Sequence, residues 1–353
     1  MSTVLIDENQ DVWVCGFNVY GGLGLGHNND IYIFTKIPDF KAISTSYIDH
    51  YAAFITEDHD VYVCGHNRSG QLGLGHSIDV NIPTKIPYLK ATSVSCGGYH
   101  TVFITENYDV YVCGYNFYGQ LGLGNRENVD IPTKIPNFKA ISASCGTNCT
   151  IFITENYDVY VCGYNRYNQL GLGHDINVNT LTKIPDFKAI LAYCGNFHTV
   201  FITEDYDVYV CGYNKDGQLG LGNFYDVDKP TKIIDFKAIS VSCGDFHTVF
   251  ITENYDVYVC GYNKGGQLGL NHIENVYTLT KIPNFKAVSV LCKNNSTIFI
   301  NKNEGVYVCG YNKDSRLGLG HEEDVNTPTK IPDFNFKPLQ KRRFSNTKSA
   351  RNI

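Results

Sequence analysis

The sequence predicts an all-β protein, a seven-bladed β-propeller of four-stranded antiparallel blades. One motif recurs at an unbroken spacing of 49 residues, marked by a cysteine in each of seven copies: Cys15, Cys64, Cys113, Cys162, Cys211, Cys260 and Cys309. Each copy holds short runs of β-branched and aromatic residues separated by turn residues. No segment repeats apolar residues at the intervals of an amphipathic helix. A fixed period of this size is typical of propellers and stacked repeats.

Four strands are predicted in each copy. In the copy at residues 90–138 they cover 91–96, 101–105, 110–113 and 132–136. The third strand alternates valine with Tyr111 and Cys113, so its valines should face one side of the sheet and the other two side chains the opposite side. The fourth is expected to be a short Pro-Thr-Lys-Ile strand that ends at Pro136.

A single four-stranded sheet of this size cannot bury both faces, so each copy must pack against its neighbours. An open β-solenoid would need polar capping units, whereas the first and last copies resemble interior ones, so a closed ring is favoured. Residues 4–7 align with the second strand of a copy. The register assigns the missing first strand to residues 336–341, so the ring is expected to close by pairing of the N- and C-terminal strands.

Composition and charge exclude several classes of protein. The chain is 43% hydrophobic and 18% charged, which excludes a disordered chain. No apolar run is long enough for a membrane helix, and no signal peptide is present at the start, so an intracellular protein, cytoplasmic or nuclear and not secreted, is expected. We also expect a monomer.

The predicted organisation is a propeller over residues 1–340 and a basic, disordered tail over residues 341–353. Six basic and no acidic side chains lie in residues 335–353, so the net charge of −6 leaves −12 on the body. An acidic propeller argues against nucleic-acid binding through its faces and leaves only a weak contact by the tail.

Thirteen cysteines are present, and twelve of them occupy two repeating positions; Cys149 is extra. The count is odd, and Cys145 and Cys149 form a pair without the second pair that a zinc site needs. We therefore expect reduced, half-buried thiols that pack as small hydrophobic side chains, with no metal and no cofactor.

Histidines and glycines also recur with the repeat. His100, His198 and His247 share one position, which favours a structural hydrogen bond over catalysis. A second position holds His27, His76, His174, His272 and His321, with Asn125 and Asn223 in the remaining copies, and this alternation predicts a turn-capping side chain. The Gly22, Gly24 and Gly26 run precedes no helix, so it indicates turns and not a phosphate site. No catalytic constellation stands out, and no enzyme is expected.

These motifs carry a resemblance to a known family. The pattern VYVCGYNxxGQLGLG, followed by Ser-Cys-Gly-x-x-His-Thr, resembles the regulator of chromosome condensation repeat over residues 4–334. The resemblance implies a seven-bladed propeller, and the founding member of the family is a guanine-nucleotide exchange factor for a small GTPase that uses an inserted β-wedge. Here the usual repeat tryptophan is cysteine in every copy, and the 49-residue spacing leaves no room for a wedge. Light sensing, known in this family, needs clustered tryptophans, whereas Trp13 stands alone.

The most variable segments should emerge on one face, because the first-to-second and third-to-fourth connections of an antiparallel blade lie on the same side. Arginine and aromatic residues dominate binding hot spots, so this face is the predicted site for an unidentified protein partner, with a small GTPase as the alternative. The candidate contacts are Arg68, Tyr99, Phe117, Tyr118, Asn148, Arg166, Tyr167, Phe197, Lys215, Asp216, Asp245, Phe246, Lys264, Lys313 and Asp314.

Truncation tests the predicted closing strand. Deletion of residues 335–353 should lower the melting temperature and promote association, because it removes a strand and exposes a sheet edge. Deletion of residues 341–353 alone should do neither. Thermal unfolding and light scattering of both truncations report the outcome, and equal stability would show that the ring closes in another way.

Overall fold

The computed structural model describes residues 2–48, 50–303, 305–313 and 317–331. Within these ranges the chain forms 27 β-strands and no α-helix. The strands make seven antiparallel sheets, six with four strands and one with three. The predicted all-β, seven-bladed propeller is therefore confirmed.

The blades follow one another along the chain. Blade 1 contains β1 (Ser2–Ile6), β2 (Asp11–Gly16) and β3 (Ile31–Lys41). Blade 2 contains β4 (Ser44–Ile48), β5 (Tyr51–Ile55), β6 (Asp60–Gly65) and β7 (Val80–Lys90). Blade 3 contains β8 (Ser93–Cys96), β9 (His100–Ile104), β10 (Asp109–Gly114) and β11 (Val129–Lys139). Blade 4 contains β12 (Ser142–Cys145), β13 (Cys149–Ile153), β14 (Asp158–Gly163) and β15 (Val178–Lys188).

The last three blades repeat the same order. Blade 5 contains β16 (Leu191–Cys194), β17 (His198–Ile202), β18 (Asp207–Gly212) and β19 (Val227–Lys237). Blade 6 contains β20 (Ser240–Cys243), β21 (His247–Ile251), β22 (Asp256–Gly261) and β23 (Val276–Lys286). Blade 7 contains β24 (Ser289–Lys293), β25 (Ser296–Ile300), β26 (Val306–Gly310) and β27 (Val325–Lys330).

Strands within a blade pair in sequence order. The first strands of successive blades contact one another, as β4 contacts β8 and β8 contacts β12, so they lie innermost around the axis of the ring. The fourth strand forms the outer edge of each blade. Within its sheet it pairs only with the third strand, on one of its two sides.

The fourth strand is longer than predicted. In blade 3 it covers Val129–Lys139 and pairs with β10 through two register shifts. The expectation of a short strand ending at Pro136 was wrong. Proline lacks an N–H donor but is tolerated on an edge strand, where one side of the backbone faces solvent, and bulges allow pairing to resume beyond it.

Apolar packing between blades follows the alternation seen in the sequence. Val110 and Val112 of β10 pack in one core with Phe152 of blade 4. From the opposite face of the same strand, Tyr111 and Cys113 pack in the core shared with blade 2. The predicted two-faced third strand is confirmed. Each blade is therefore held by two cores, one with each neighbour.

A similar core closes the ring. Leu5 and Trp13 of blade 1 lie in one apolar cluster with Ile298 and Val308 of blade 7. This contact excludes the open solenoid, because a solenoid would leave blades 1 and 7 apart. The strand and tail predicted for residues 336–353 lie outside the described residues.

A buried histidine links neighbouring blades. The Nε2 of His100 lies 2.9 Å from the Oγ1 of Thr150 in blade 4. The Thr150 hydroxyl donates to the carbonyl of Gln120 at 2.7 Å, so the histidine Nε2–H is the donor to Thr150. Burial lowers the pKa of His100 to about 3, which keeps the ring neutral. The same bond recurs between His198 and Thr248 and between His247 and Thr297. The predicted structural hydrogen bond is confirmed.

The spacing Gly-x-x-His has a steric cause. A Cβ on Gly97 would overlap the imidazole ring of His100, so only glycine leaves room for the histidine. Two copies have another residue in place of this glycine, Ile48 in one and Lys293 in the other. The same two copies carry Tyr51 and Ser296 in place of the histidine. The Tyr51 hydroxyl also crosses to the next blade, where the His100 carbonyl lies at 2.5 Å and the Gly97 carbonyl at 2.9 Å.

None of the thirteen cysteines forms a disulfide in the structure. Ten are buried and three are half-buried, so most lie deeper than expected. Thiols of the Val-Cys-Gly strand ends reach the preceding blade; Cys113, for example, donates to the Gln71 carbonyl at 3.4 Å. Burial raises the pKa of Cys15 to about 12, so this thiol stays protonated at neutral pH.

Stability should fall as the pH drops from 6.5 towards 4. The unfolded chain protonates each histidine near pH 6.5 and the folded chain only near 3, so between these values the unfolded state binds more protons. The free energy of unfolding should fall by about 1.4 kcal/mol per pH unit for each buried histidine. His247→Gln keeps a donor but cannot titrate, and should reduce this slope by about that amount in urea unfolding between pH 4.5 and 6.5.

The exposed His59 provides the control. His59→Tyr copies the residue that four other repeats carry at this position, and it should not reproduce the effect of His247→Gln. If His247→Gln and the parent protein have the same slope, the buried histidines do not control the acid sensitivity.

Candidate protein-binding face

The connection between the first and second strands and the connection between the third and fourth strands lie on one face of the ring, as predicted. The N–H of Tyr115, just after β10, donates to the carbonyl of Tyr99, which lies between β8 and β9, at 2.8 Å. The equivalent bonds join Tyr164 to Asn148, Tyr213 to Phe197, Tyr262 to Phe246 and Tyr311 to Asn295. We call this side the loop face and the opposite side, where the second strand turns into the third, the hairpin face.

Buried amides hold each loop of the loop face. The Oδ1 of Asn116 accepts the N–H of Leu121 at 3.0 Å, and the Asn116 N–H donates to Asn128 Oδ1 at 2.9 Å. The Gln120 Oε1 accepts the N–H of Tyr118 at 3.1 Å. The asparagine is buried in all seven copies. The variable side chains between Asn116 and Gln120 are therefore displayed from a rigid frame.

The predicted turn caps are confirmed. The Nδ1 of His76 accepts the N–H of Ile78 at 3.2 Å. Where asparagine replaces histidine, the Oδ1 of Asn125 accepts the N–H of Glu127 at 3.1 Å. The histidine Nδ1 and the asparagine Oδ1 are acceptors at the same position along the side chain, which explains why the two residues replace each other. Gly24, in the Gly-x-Gly-x-Gly run, has a φ of 71°, so turn geometry accounts for this glycine.

Aromatic rings form a continuous belt on the loop face from blade 1 to blade 6. Neighbouring ring centroids lie 4.9 to 6.5 Å apart. The members of this aromatic belt are Phe17, Tyr20, His66, Tyr99, Tyr115, Tyr118, Tyr164, Tyr167, Tyr213, Phe246 and Tyr262. All are half-buried except Tyr99, which is exposed. Such spacings are favourable for aromatic pairs, and each ring keeps part of its surface for a ligand.

The contacts predicted from the sequence include only four of the eleven belt members. Sequence reasoning selected variable positions, such as Tyr118 and Tyr167, and passed over the nearly constant residue that follows Cys-Gly. In the structure that residue joins one variable ring to the next: Tyr164 lies 5.0 Å from Tyr118 and 6.1 Å from Tyr167. Its constancy was the available signal, since an aromatic ring in every copy of a surface loop is unusual for a purely polar connection.

Two predicted aromatic contacts flank the belt. Phe117 is 56% exposed and lies 5.1 Å from Tyr118. Phe197 is half-buried and lies 4.9 Å from Tyr167. They widen the apolar surface over blades 3 to 5.

Exposed cations form a second ring beside the belt. This cationic ring contains Arg68, Arg166, Lys215, Lys264 and Lys313. Three of them lie 3.8 to 3.9 Å from a carboxylate of their own loop, in the pairs Arg68–Asp79, Arg166–Asp175 and Lys215–Asp226. Exposed pairs at this distance are weak, so a partner can compete for these side chains.

Three other predicted contacts are partly engaged within the protein. The Oδ1 of Asp216 accepts from Asn275 Nδ2 at 3.0 Å, and desolvation raises the pKa of Asp216. The N–H of Asp245 donates to the Asn294 carbonyl at 3.2 Å, and Asn148 is half-buried. Asp314 lies outside the described residues. These positions contribute less free surface than the belt and the cationic ring.

The hairpin face is uniform by contrast. In blade 3 the Asp109 carboxylate pairs with Lys134 at 2.7 Å and with Lys139 at 3.9 Å, and the Lys134 hydrogen bond lowers the pKa of Asp109. The aspartate–lysine pair recurs in blades 1 to 6, at Asp11, Asp60, Asp109, Asp158, Asp207 and Asp256. Variation between copies is thus concentrated on the loop face.

Among the described residues no group of three or more His, Cys, Asp or Glu side chains is arranged to hold a metal ion. No helix in the same part of the chain could span a bilayer.

The fold and its loop face define a repeat propeller, and the sequence places it in a family. The profile described as "Regulator of chromosome condensation (RCC1) repeat" matches residues 58–104, 109–153, 158–202, 206–251 and 303–345, more than half of the chain. A second profile of the same description matches residues 91–120, 192–218 and 238–267. The chain belongs to the regulator of chromosome condensation repeat family, as the motifs predicted. A sequence comparison with curated proteins gave no match.

Solved structures share the fold. Yeast RCC1 (Prp20) in its complex with Kap60 superposes with a TM-score of 0.85 at 20% identity, over 95% of this chain and 85% of that one. Prp20p from Saccharomyces cerevisiae, studied for its binding to Gsp1p and histones, gives 0.84 at 21% identity, over 94% and 88%. Human WBSCR16 gives 0.75 at 23% identity, over 83% and 82%. Identities this low establish the fold and nothing more specific.

Removal of one belt ring should measure how firmly the belt is packed. Tyr167 lies 4.9 Å from Phe197 and 5.3 Å from Tyr213, and each aromatic pair is worth about 0.5–1.5 kcal/mol. Tyr167→Ala should therefore lower the free energy of unfolding by about 1–3 kcal/mol in urea denaturation. Lys264→Ala, an exposed change on the same face, should alter it by less than about 0.5 kcal/mol. Equal effects would show that the belt rings do not stabilise one another.

Proposed function

We propose that this protein is a non-enzymatic scaffold that binds a protein partner through its loop face. The observation that carries the proposal is the aromatic belt, in which rings such as Tyr118 and Tyr167 are packed against neighbours but keep exposed surface. Pre-packed aromatic rings lose little conformational freedom on binding, and they are enriched in binding hot spots. The repeat itself does not carry this function, because one fold serves many roles.

The charges around the belt support the same assignment. The cationic ring supplies exposed arginine and lysine at the same repeat position in five loops, next to apolar rings. Arginine beside aromatic residues is a frequent composition at the centre of protein interfaces. We place this binding inside the cell, because disulfides are rare in its reducing compartments and none of the thirteen cysteines forms one.

A guanine-nucleotide exchange factor for a small GTPase is the alternative. It is supported by family membership and by the likeness to Prp20p, whose binding to Gsp1p has been studied. The uniform loops weigh against it. Each third-to-fourth connection has the length of the one between Gly114 and Val129, and the constant 49-residue spacing leaves no blade with an inserted wedge.

Charge reversal on each face decides which face binds. Arg68→Glu with Arg166→Glu should leave the melting temperature unchanged and reduce capture of the specific partner at least tenfold. The matched control reverses two exposed charges on the hairpin face, Glu106→Lys with Glu155→Lys, and should leave capture unchanged. Quantitative mass spectrometry of proteins retained by the three immobilised forms measures the difference.

The two functions give different results. Loss of capture only in the hairpin-face variant would contradict the choice of face. Accelerated release of labelled nucleotide from a member of a small-GTPase panel would contradict the non-enzymatic assignment and support the alternative.

A further inference from the structure

Cys149 departs from the repeat at a position that links two blades. The equivalent residue is His100, His198 or His247 in three other copies. At Cys149 the bond to the next blade is made by sulfur: its Sγ lies 3.3 Å from the Sγ of Cys194 in blade 5. At this distance the two thiols are hydrogen-bonded, and the sulfurs are close to the separation from which a disulfide can form.

The pair exists only in the folded chain. Cys149 begins β13 and Cys194 ends β16, and the two strands contact each other across the boundary between blades 4 and 5. Cys145 is nearer in sequence, but its thiol donates to the Ser95 carbonyl of blade 3 at 3.4 Å. Cys149 is therefore placed to react with Cys194 and not with its neighbour in the motif.

The two thiols differ in environment. Cys149 is buried, whereas Cys194 is half-buried. The thiol of Cys149 can donate a hydrogen bond to the sulfur of Cys194, and this lowers the pKa of Cys194, while the same contact raises the pKa of Cys149. The Oγ1 of Thr199 also lies 3.6 Å from the Cys194 sulfur. Cys194 is thus the better nucleophile, and Cys149 is in position to resolve it.

We propose that Cys149 and Cys194 form a peroxide-sensitive oxidation site that links blades 4 and 5. The Cys194 thiolate attacks one oxygen of hydrogen peroxide, which gives a sulfenic acid at Cys194 and releases hydroxide, protonated to water. The Cys149 sulfur then attacks the Cys194 sulfur and loses its proton, and the sulfenic oxygen leaves as a second water. Two thiols are oxidised to one disulfide while one peroxide is reduced to two waters.

The link would lie directly beneath the loop face. Cys149 follows Asn148, and Cys194 lies three residues before Phe197, which contacts the aromatic belt through Tyr167. A covalent bond between residues 45 apart in sequence restricts the unfolded chain and joins two blades that are otherwise held only by noncovalent contacts, such as the hydrogen bond from Thr199 Oγ1 to the Gln169 carbonyl. The oxidised protein is therefore more resistant to thermal unfolding than the reduced one.

Peroxide treatment of the native protein tests the site. After exposure to hydrogen peroxide, alkylation and digestion without reductant, the cross-linked peptide should contain Cys149 and Cys194, with fragmentation assigning the bond. Titration of the unfolded protein should lose two of the thirteen thiols. The melting temperature should rise by roughly 5 °C, and a thiol reductant should reverse all three changes.

The repeat supplies the matched control. Cys149→His restores the residue of three other copies; Gly146 stands where the other copies make room for the ring, and Thr199 is the equivalent acceptor. This variant should fold and keep all of its remaining thiols under the same treatment. Cys194→Ser provides a second block that leaves position 149 unchanged.

Three results would overturn the proposal. They are no thiol loss in the native parent protein, a bond that joins Cys149 to a cysteine other than Cys194, and equal thiol loss in the parent and in both variants.

Discussion

The contact between neighbouring blades is the interaction on which the whole molecule depends. The second strand of a blade, such as β9, is buried along its full length because other blades cover both of its faces. A blade taken alone would expose its apolar residues to water on both sides, since four short strands cannot fold over themselves. Stability therefore comes from seven interfaces together, and the packing of Leu5 against Ile298 completes the set.

Polar bonds set the register of these interfaces. A threonine such as Thr150 donates to the carbonyl of Gln120 in the preceding blade and accepts from His100. Apolar packing is not directional, so hydrogen bonds of this kind decide which turn of one blade meets which turn of the next. Tyr51 and Cys149 show that other side chains at this position can also reach the adjacent blade.

A frame of this kind divides the surface into constrained and unconstrained positions. Asn116 and Gln120 hold the ends of each loop by side-chain hydrogen bonds, so the residues between them can vary without loss of the fold. The hairpin face lacks this freedom, because Asp109 and Lys134 pair across its strands. Binding surface can therefore be built on the loop face at little cost in stability.

The sequence by itself determined the features that depend on local period and repetition. The number of blades follows from the number of copies. The two-faced third strand, the side on which loops emerge and the caps at His76 and Asn125 follow from patterns within one copy. The length of β11 did not, because the bulges that extend it beyond Pro136 depend on pairing with β10.

Only the tertiary structure decided which residues meet across blade boundaries. Tyr164 joins the belt, Cys194 faces Cys149, and Trp13 packs with blade 7, although their sequence patterns resemble those of every other copy. The first two contacts join residues about 45 positions apart by packing one blade on the next, and the contact of Trp13 is made by closure of the ring. No local pattern records such a meeting, because the same residue types can pack against many neighbours until the blades are in place.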